Sequence, residues 1–267
     1  MPPARKRARS YDHAKISAAV LAQLDHVRQA VRTLTPEELA APTRLGTWTV
    51  RELAVHIAQA TGSVAAAAAL PEPPKQDFAL LDWPLRTVEQ SAAIDRGARE
   101  AAEALATPAA LDELYGRTAG ALTETLQAGG GDRLLATRRG AMRLGDHLVT
   151  RAVELIVHTD DLNAATGRDI PLERQALAAC VRLLADTLAV KAPGGSVEVR
   201  IPPYAVVQCV EGPRHTRGTP PNVVETDPLT WVGLATGRTG WDEALAAARV
   251  SASGERADIS GLLPLLA

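Results

Sequence analysis

Apolar residues recur every three to four positions through the first 163 residues, a spacing that predicts amphipathic helices. Two capping boxes, Thr35 with Glu38 and Thr49 with Glu52, mark helix starts. The glycines at 129–131 break the pattern before the last helix of this region. Successive helices joined by loops predict a four-helix-type bundle over residues 13–166. The predicted helices cover residues 16–34, 49–64, 87–105, 111–128 and 147–161.

The pattern changes near residues 165–170, where we place a domain boundary. Short stretches of alternating apolar and polar residues then appear, separated by glycine and proline, and they predict strands. Helical spacing returns in between, so residues 170–267 are predicted to form a small α+β domain, and the whole chain is of the α+β class. Predicted strands are 197–201, 204–210, 215–218, 223–226 and 249–253, and predicted helices are 171–190, 228–236, 240–247 and 259–266.

Composition narrows the function classes. The 267 residues carry a net charge of −2, so no basic field favours a nucleic-acid partner. The basic run within residues 5–9 is predicted to belong to a disordered tail, residues 1–12. No apolar run approaches the roughly 18 residues of a membrane span, and no secretory signal is recognisable, which predicts a cytoplasmic protein. Cys180 and Cys209 form no CxxC pattern and are predicted to be buried free thiols.

The helix at 147–161 has an unusual distribution of ionisable residues. At about 100° per residue, five of its six ionisable side chains share one stripe roughly 80° wide, and most of the remaining circumference is apolar, with Asp160 among its few polar interruptions. This pattern favours a buried bundle helix that faces a cavity. A helix that shows water a narrow strip remains the alternative, with Arg151 and Glu154 as an ordinary surface pair. The stripe consists of His147, Arg151, Glu154, His158 and Asp161.

Two residues of this stripe have the spacing of metal ligands. Glu154 and His158 are four positions apart, about 6 Å along the axis, so a carboxylate and an imidazole can converge on one ion. His56 lies at the edge of the apolar face of its own helix, where it is either a hydrogen-bonded interior histidine or a third ligand. The three together make a His₂Glu set with an open position, as in catalytic zinc sites. His147 lies about 16 Å along the axis from His158 and cannot share that ion.

Neighbouring charged residues allow two interpretations each. Arg151 either orients Glu154 and contacts an anionic ligand, or forms a plain salt bridge. Asp160 and Asp161 either accept the N–H of a ligating imidazole or are solvated acids at the helix end. The sequence does not decide between these interpretations.

Two motifs carry a family resemblance. Residues 46–59, GTWTVRELAVHIAQ, resemble the G-W-T-V-x-[DE]-L-x-x-H-[IL] motif of the mycothiol-dependent maleylpyruvate isomerases, which are DinB-like metal-binding four-helix bundles. Residues 151–162, RAVELIVHTDDL, resemble the R-x-x-E-x-x-x-H-x-x-D-L helix of the same family. Residues 231–259 resemble the sterol-carrier-like α+β domain appended to many actinobacterial members. The resemblance therefore extends over nearly the whole chain.

The resemblance implies a function and a set of site residues. It implies zinc bound by His56, Glu154 and His158, with mycothiol as the thiol cosubstrate held as a thiolate. It also implies arginines near the metal that hold carboxylates, and the loose matches here are Arg86 and Arg238. We assign Arg151 to the binding of the thiol cofactor.

Three functions follow from these expectations. The first is a zinc- and mycothiol-dependent isomerase or thiol S-transferase that acts on a small electrophile bearing a carboxylate. The second is a lipid or small-molecule carrier that uses the C-terminal domain, and the third is a non-enzymatic metal-binding bundle. We expect a monomer or a homodimer, with no nucleic-acid or membrane partner.

Overall fold

The computed structural model describes residues 9–84, 91–212 and 220–266. Residues 1–8 of the predicted tail, the start of the helix predicted at 87–105, Arg86 and the strand predicted at 215–218 lie outside the described residues. The helices are α1 (His13–Val31), α2 (Pro36–Ala40), α3 (Val50–Ala68), α4 (Ser91–Ala104), α5 (Pro108–Ala128), α6 (Leu144–Thr166), α7 (Arg174–Lys191), α8 (Pro228–Ala235) and α9 (Trp241–Ala246). The strands are β1 (Leu134–Thr137), β2 (Gly140–Arg143), β3 (Val197–Ile201), β4 (Ala205–Cys209), β5 (Val223–Thr226) and β6 (Val250–Ser253).

Four long helices form the N-terminal part of the fold. Helix α1 packs on α5 and α6, and α3 packs on the same two helices, so the four enclose a common core. Helix α4 lies outside this group against α3. The capping box predicted at Thr49 is present, because Glu52 donates its backbone N–H to the Thr49 side chain and accepts the Thr49 N–H. This cap fixes where α3 begins and therefore which face carries His56.

Helix α6 is the most enclosed of these helices. It packs against α1, α3 and α7, and more than half of its 23 residues are buried. The buried set includes residues of the polar stripe, among them His147, Arg151 and Asp161. The prediction of a buried bundle helix is confirmed, and the alternative of a water-facing strip is wrong. The helix ends at Gly167, which adopts the left-handed conformation with φ 68°.

The C-terminal part contains a four-stranded mixed sheet in the order β4-β3-β5-β6. The central pair β3–β5 is parallel, with Val199 opposite Val224, and both outer pairs are antiparallel. Alternate residues of β3 are buried, as the period-two pattern predicted. Helix α7 packs on α1 and α6 on one side and on β4 and α8 on the other. This helix therefore sets the α8 turn beside the C-terminal half of α6.

Three local features differ from the sequence prediction. Between the glycines at 129–131 and α6 the chain forms a hairpin, in which Leu135 pairs with Met142. The helix predicted at 259–266 is only one 3-10 turn, Ser260–Leu262, because Pro264 follows and cannot donate to a longer helix. The first helix ends at Val31 rather than at residue 34. Cys180 and Cys209 are buried free thiols, as predicted.

Candidate metal centre

His56 and Glu154 bring α3 and α6 together at one point. His56 is 8% exposed on the α6-facing side of α3, and its Nε2 lies 3.4 Å from Glu154 Oε2. The ring of Trp48, two residues before α3, lies 5.1 Å from the His56 ring between centroids and covers it. The position at the edge of the apolar face therefore places the imidazole between helices.

His158 completes the cluster one turn further along α6. Its Nε2 lies 3.2 Å from the same Glu154 Oε2, and its ring stands nearly perpendicular to that of His56, 4.9 Å away between centroids. One donor atom from each of the three residues lies within 4.8 Å of the other two. Zinc bonds of about 2.0–2.2 Å in a tetrahedron place neighbouring donors about 3.3–3.6 Å apart. The donor types and their spacing therefore fit zinc.

Asp161 holds the His158 ring from the far side. His158 Nδ1 lies 2.8 Å from Asp161 Oδ2, which leaves Nε2 directed at Glu154. A carboxylate on the distal nitrogen fixes the ring orientation and raises the basicity of a ligating histidine. Asp161 is fully buried, so the interpretation of this residue as a solvated acid is wrong.

Two arginines from different parts of the chain bind the Asp161 carboxylate. Arg238, in the turn after α8, donates Nε at 3.0 Å and Nη2 at 2.8 Å, while its Nη1 donates to the Thr236 carbonyl. Arg44, before α3, donates to both Asp161 and Asp160. The C-terminal domain therefore contacts the cluster through Arg238, Asp161 and His158 in series.

The charges of the cluster follow from its burial and contacts. Burial raises the pKa of Glu154, but contacts with His158 and His56 and the charge of Arg151 outweigh it, so the carboxyl pKa lies well below its usual range. Burial lowers the pKa of His56, which keeps that imidazole neutral at pH 7. Burial also opposes the charge on His158, but Asp161 and Glu154 raise its pKa above the usual value. The cluster thus offers an ionised carboxylate and a neutral imidazole as ligands.

Arg151 and His147 extend the polar stripe away from the three ligands. Arg151 is 5% exposed; its Nη2 lies 3.7 Å from Glu154 Oε1, and its Nη1 donates to the Ala60 carbonyl. Burial and the Arg151 charge lower the pKa of His147 well below its usual value, so this histidine is neutral. The surface-pair interpretation of Arg151 is therefore wrong, since the guanidinium is a buried cation beside the carboxylate.

Two cavities adjoin the cluster. One, of about 620 Å³, is bordered by Ser63, Thr118, Arg138, His147 and Arg151 among others. The other, of about 390 Å³, is bordered mainly by apolar side chains and also by His158 and Arg238. His56, Glu154, Ile94 and Arg139 line both cavities. The three candidate ligands therefore stand at the junction of two spaces of ligand size.

The structure places most of the predicted site residues together. His56, Glu154 and His158 converge, Arg151 lies beside them, and Arg238 reaches them through Asp161; Arg86 lies outside the described residues. Sequence reasoning missed Arg44, Trp83 and Arg139. Trp48 belongs to the sequence motif that precedes His56. Arg44 and Arg139 lie in loops, where the sequence gives no signal for the position of an arginine side chain.

Comparison with known families decides the membership of the chain. The family model described as mycothiol maleylpyruvate isomerase N-terminal domain matches residues 20–163, more than half of the chain. The chain belongs to the mycothiol maleylpyruvate isomerase family. The predicted family and the lean towards an enzyme are confirmed, because the proteins that name this family are isomerases. A model described as a bacterial SCP ortholog matches residues 173–265, and the predicted fold class is confirmed.

Solved structures show the same overall fold. The crystal structure of a mycothiol-dependent maleylpyruvate isomerase is 17% identical over 91% of this chain and 93% of that chain, with a TM-score of 0.58. A histidine-to-alanine mutant of such an isomerase matches at 18% identity with the same coverage and TM-score. No curated protein sequence matches the chain significantly. Among the described residues, no helix is long and apolar enough to cross a membrane.

Proposed function

We propose that this member of the family is a zinc- and mycothiol-dependent enzyme that isomerises, or transfers a thiol to, a small electrophile. One observation carries the proposal: His56, Glu154 and His158 direct donor atoms at one point where two cavities meet. Three protein ligands leave a position open for a further ligand, as catalytic rather than structural zinc requires.

The side chains around this point prepare it for a thiol. Zinc, when bound, supplies the positive charge that holds a thiol as its nucleophilic thiolate at neutral pH. Asp161 orients His158, and Arg151 favours the ionised form of Glu154. The Trp48 ring lies against the His56 ring, 5.1 Å away between centroids. We propose that Arg151 also contacts the bound thiol cofactor, since it lines the larger cavity.

The two arginines matched to the family receive different proposals. Arg238 donates to Asp161 and to the Thr236 carbonyl, which supports a positioning role on His158. A carboxylate of the electrophile remains the predicted partner of Arg86. The proposed domain division places the bundle at 13–166 and the sterol-carrier-like domain at 170–267, and Arg238 links the second domain to His158 of the first through Asp161.

Metal content and turnover test the proposal. Zinc content is measured, and mycothiol-dependent turnover is assayed with small carboxylate-bearing electrophiles, among them an aryl-substituted one, for the protein and for His158→Ala. We expect about one zinc per chain and thiol-dependent turnover, both lost in this variant. His26→Ala, on α1 with its ring bonded to the Pro171 carbonyl, serves as the control and should change neither. Failure to take up zinc, or full activity after zinc removal, would contradict the proposal.

A further inference from the structure

The two cavities at the cluster differ in chemical character. The smaller one, about 390 Å³, is bordered by two tryptophans and several aliphatic side chains. Two of these, Val153 and Val157, lie on α6 directly beside the ligand positions, so the apolar wall reaches the cluster itself. The apolar border consists of Leu45, Trp48, Trp83, Ile94, Val153, Val157 and Leu266.

The polar groups of the smaller cavity are largely engaged within the protein. Asp95 accepts the indole N–H of Trp48 at 2.6 Å and pairs with Arg99. Arg238 donates through Nε and both Nη atoms to Asp161 and to the Thr236 carbonyl. Because Asp95 and Arg238 already pair within the protein, most of this border offers apolar contact to a ligand, and Arg139 is the cation at the junction with the larger cavity.

The larger cavity, about 620 Å³, has a mixed lining that is more polar than that of the smaller one. Its border carries hydroxyl and amide side chains, including Gln59, Ser63 and Thr118. Its charged residues are cationic, Arg138, Arg139 and Arg151, apart from the ligand Glu154. A hydrophilic molecule with many hydroxyl groups finds its hydrogen-bond partners on this side.

We infer that the smaller cavity binds the electrophile through an apolar, aromatic-sized body, while the hydrophilic thiol occupies the larger cavity. This inference rests on the proposed function, because it takes the cluster as the place where the two substrates meet. The shared wall of His56 and Glu154 puts both ligands next to the same point. A compact dicarboxylate in the smaller cavity would leave the apolar wall uncovered and would bury a charge against that wall. The substrate of this site is therefore not a compact dicarboxylate.

Two matched probes test the substrate class by binding alone. trans-Cinnamate and fumarate share a propenoate core, and a phenyl ring in the first replaces a carboxylate in the second. Each is titrated calorimetrically into the protein after incubation with zinc, whether or not zinc is retained. We expect cinnamate to bind at least about tenfold more tightly, because burying a phenyl group favours binding and burying a second carboxylate opposes it. Equal binding, or tighter binding of fumarate, would overturn the inference.

A pair of variants locates the phenyl group. Leu45→Trp fills the smaller cavity and should weaken cinnamate binding at least about tenfold. Ala66→Trp places the same bulk at the larger cavity and should leave cinnamate binding within about twofold. A larger loss of cinnamate binding in Ala66→Trp than in Leu45→Trp would overturn the inference. If either variant fails to fold, the comparison of cinnamate with fumarate in the wild-type protein still tests it.

Zinc content separates this inference from the proposed function. A protein that prefers cinnamate but takes up no zinc would support the apolar cavity and contradict the zinc enzyme. A zinc-loaded, thiol-dependent protein that prefers fumarate would support the zinc enzyme and contradict the apolar cavity as the site of the electrophile.

Discussion

Replacing Asp161 by asparagine tests how the cluster is held. The carboxylate is fully buried and accepts hydrogen bonds from His158, Arg238 and Arg44. Asparagine keeps the volume but has one acceptor oxygen and an NH₂ group. Either His158 loses its acceptor, or the arginines face a second donor.

The size of the effect follows from these contacts. Loss of a carboxylate behind a ligating histidine weakens metal binding about 10- to 100-fold, or about 1.4–2.7 kcal/mol. Removing one partner of a buried ion pair costs about 3–5 kcal/mol of stability. The side chains of Arg238 and Arg44 are 16% and 32% exposed, so the lower end, about 3 kcal/mol, applies to the free energy of unfolding.

Chelator competition measures the zinc affinity, and urea unfolding of the metal-free protein measures the stability. Asp160→Asn is the matched control, since Asp160 also pairs with Arg44 but is 34% exposed and the acceptor of His158 Nδ1 is Asp161. The control should keep zinc affinity within about twofold and lose at most about 1 kcal/mol. An Asp161→Asn protein that binds zinc as tightly as the control would refute the reasoning.

Four further predictions concern pH, Arg238 and the cap of α3. Zinc affinity should rise by up to about tenfold per pH unit from pH 6 and should flatten above the raised pKa of His158, because zinc displaces the proton of the His158 imidazole. A zinc affinity that does not change with pH, measured by chelator competition, would contradict this. In the metal-free protein, protonated His158 contributes to the free energy of unfolding. This contribution is fully present below the unfolded pKa of about 6.5 and is lost as the pH rises through the higher folded pKa. Urea unfolding at several pH values measures it. Arg238→Met should lower zinc affinity several-fold as well as kcat, whereas a residue that only binds substrate would change KM and leave zinc affinity intact. Thr49→Ala, which removes the cap of α3, should cost about 1 kcal/mol of unfolding free energy, and a loss below about 0.3 kcal/mol would show that the cap is dispensable.

The helices and the Glu154–His158 pair were predictable because both depend on local spacing, whereas His56 joined the predicted set through the family resemblance. A carboxylate four residues before an imidazole must share a helix face, and the capping box at Thr49 sets the face on which His56 lies. The burial of α6 followed from the scarcity of polar residues outside its stripe. These inferences need no knowledge of the tertiary fold.

The support for the ligands depends on tertiary contacts and was not predictable. Arg44 and Arg238 reach Asp161 over 117 and 77 residues of chain, and no periodicity records such distances. Asp160 and Asp161 are neighbours of the same type, and only tertiary contacts, the packing of α7 against α6 and the hydrogen bonds from Arg238, decide which one is buried. The short 3-10 turn in place of the last predicted helix has a local cause, because Pro264 has no N–H to donate to a longer helix.

X-ray absorption at the zinc edge tests the central claim most directly. The account predicts about one zinc per chain with two imidazole nitrogens and a carboxylate oxygen at about 2.0–2.2 Å, and no sulfur. Addition of mycothiol should introduce one sulfur at about 2.3 Å, and His158→Ala should abolish the signal. A sulfur ligand before the thiol is added, or a spectrum unchanged by mycothiol, would contradict a site built from His56, Glu154 and His158 to hold a thiolate.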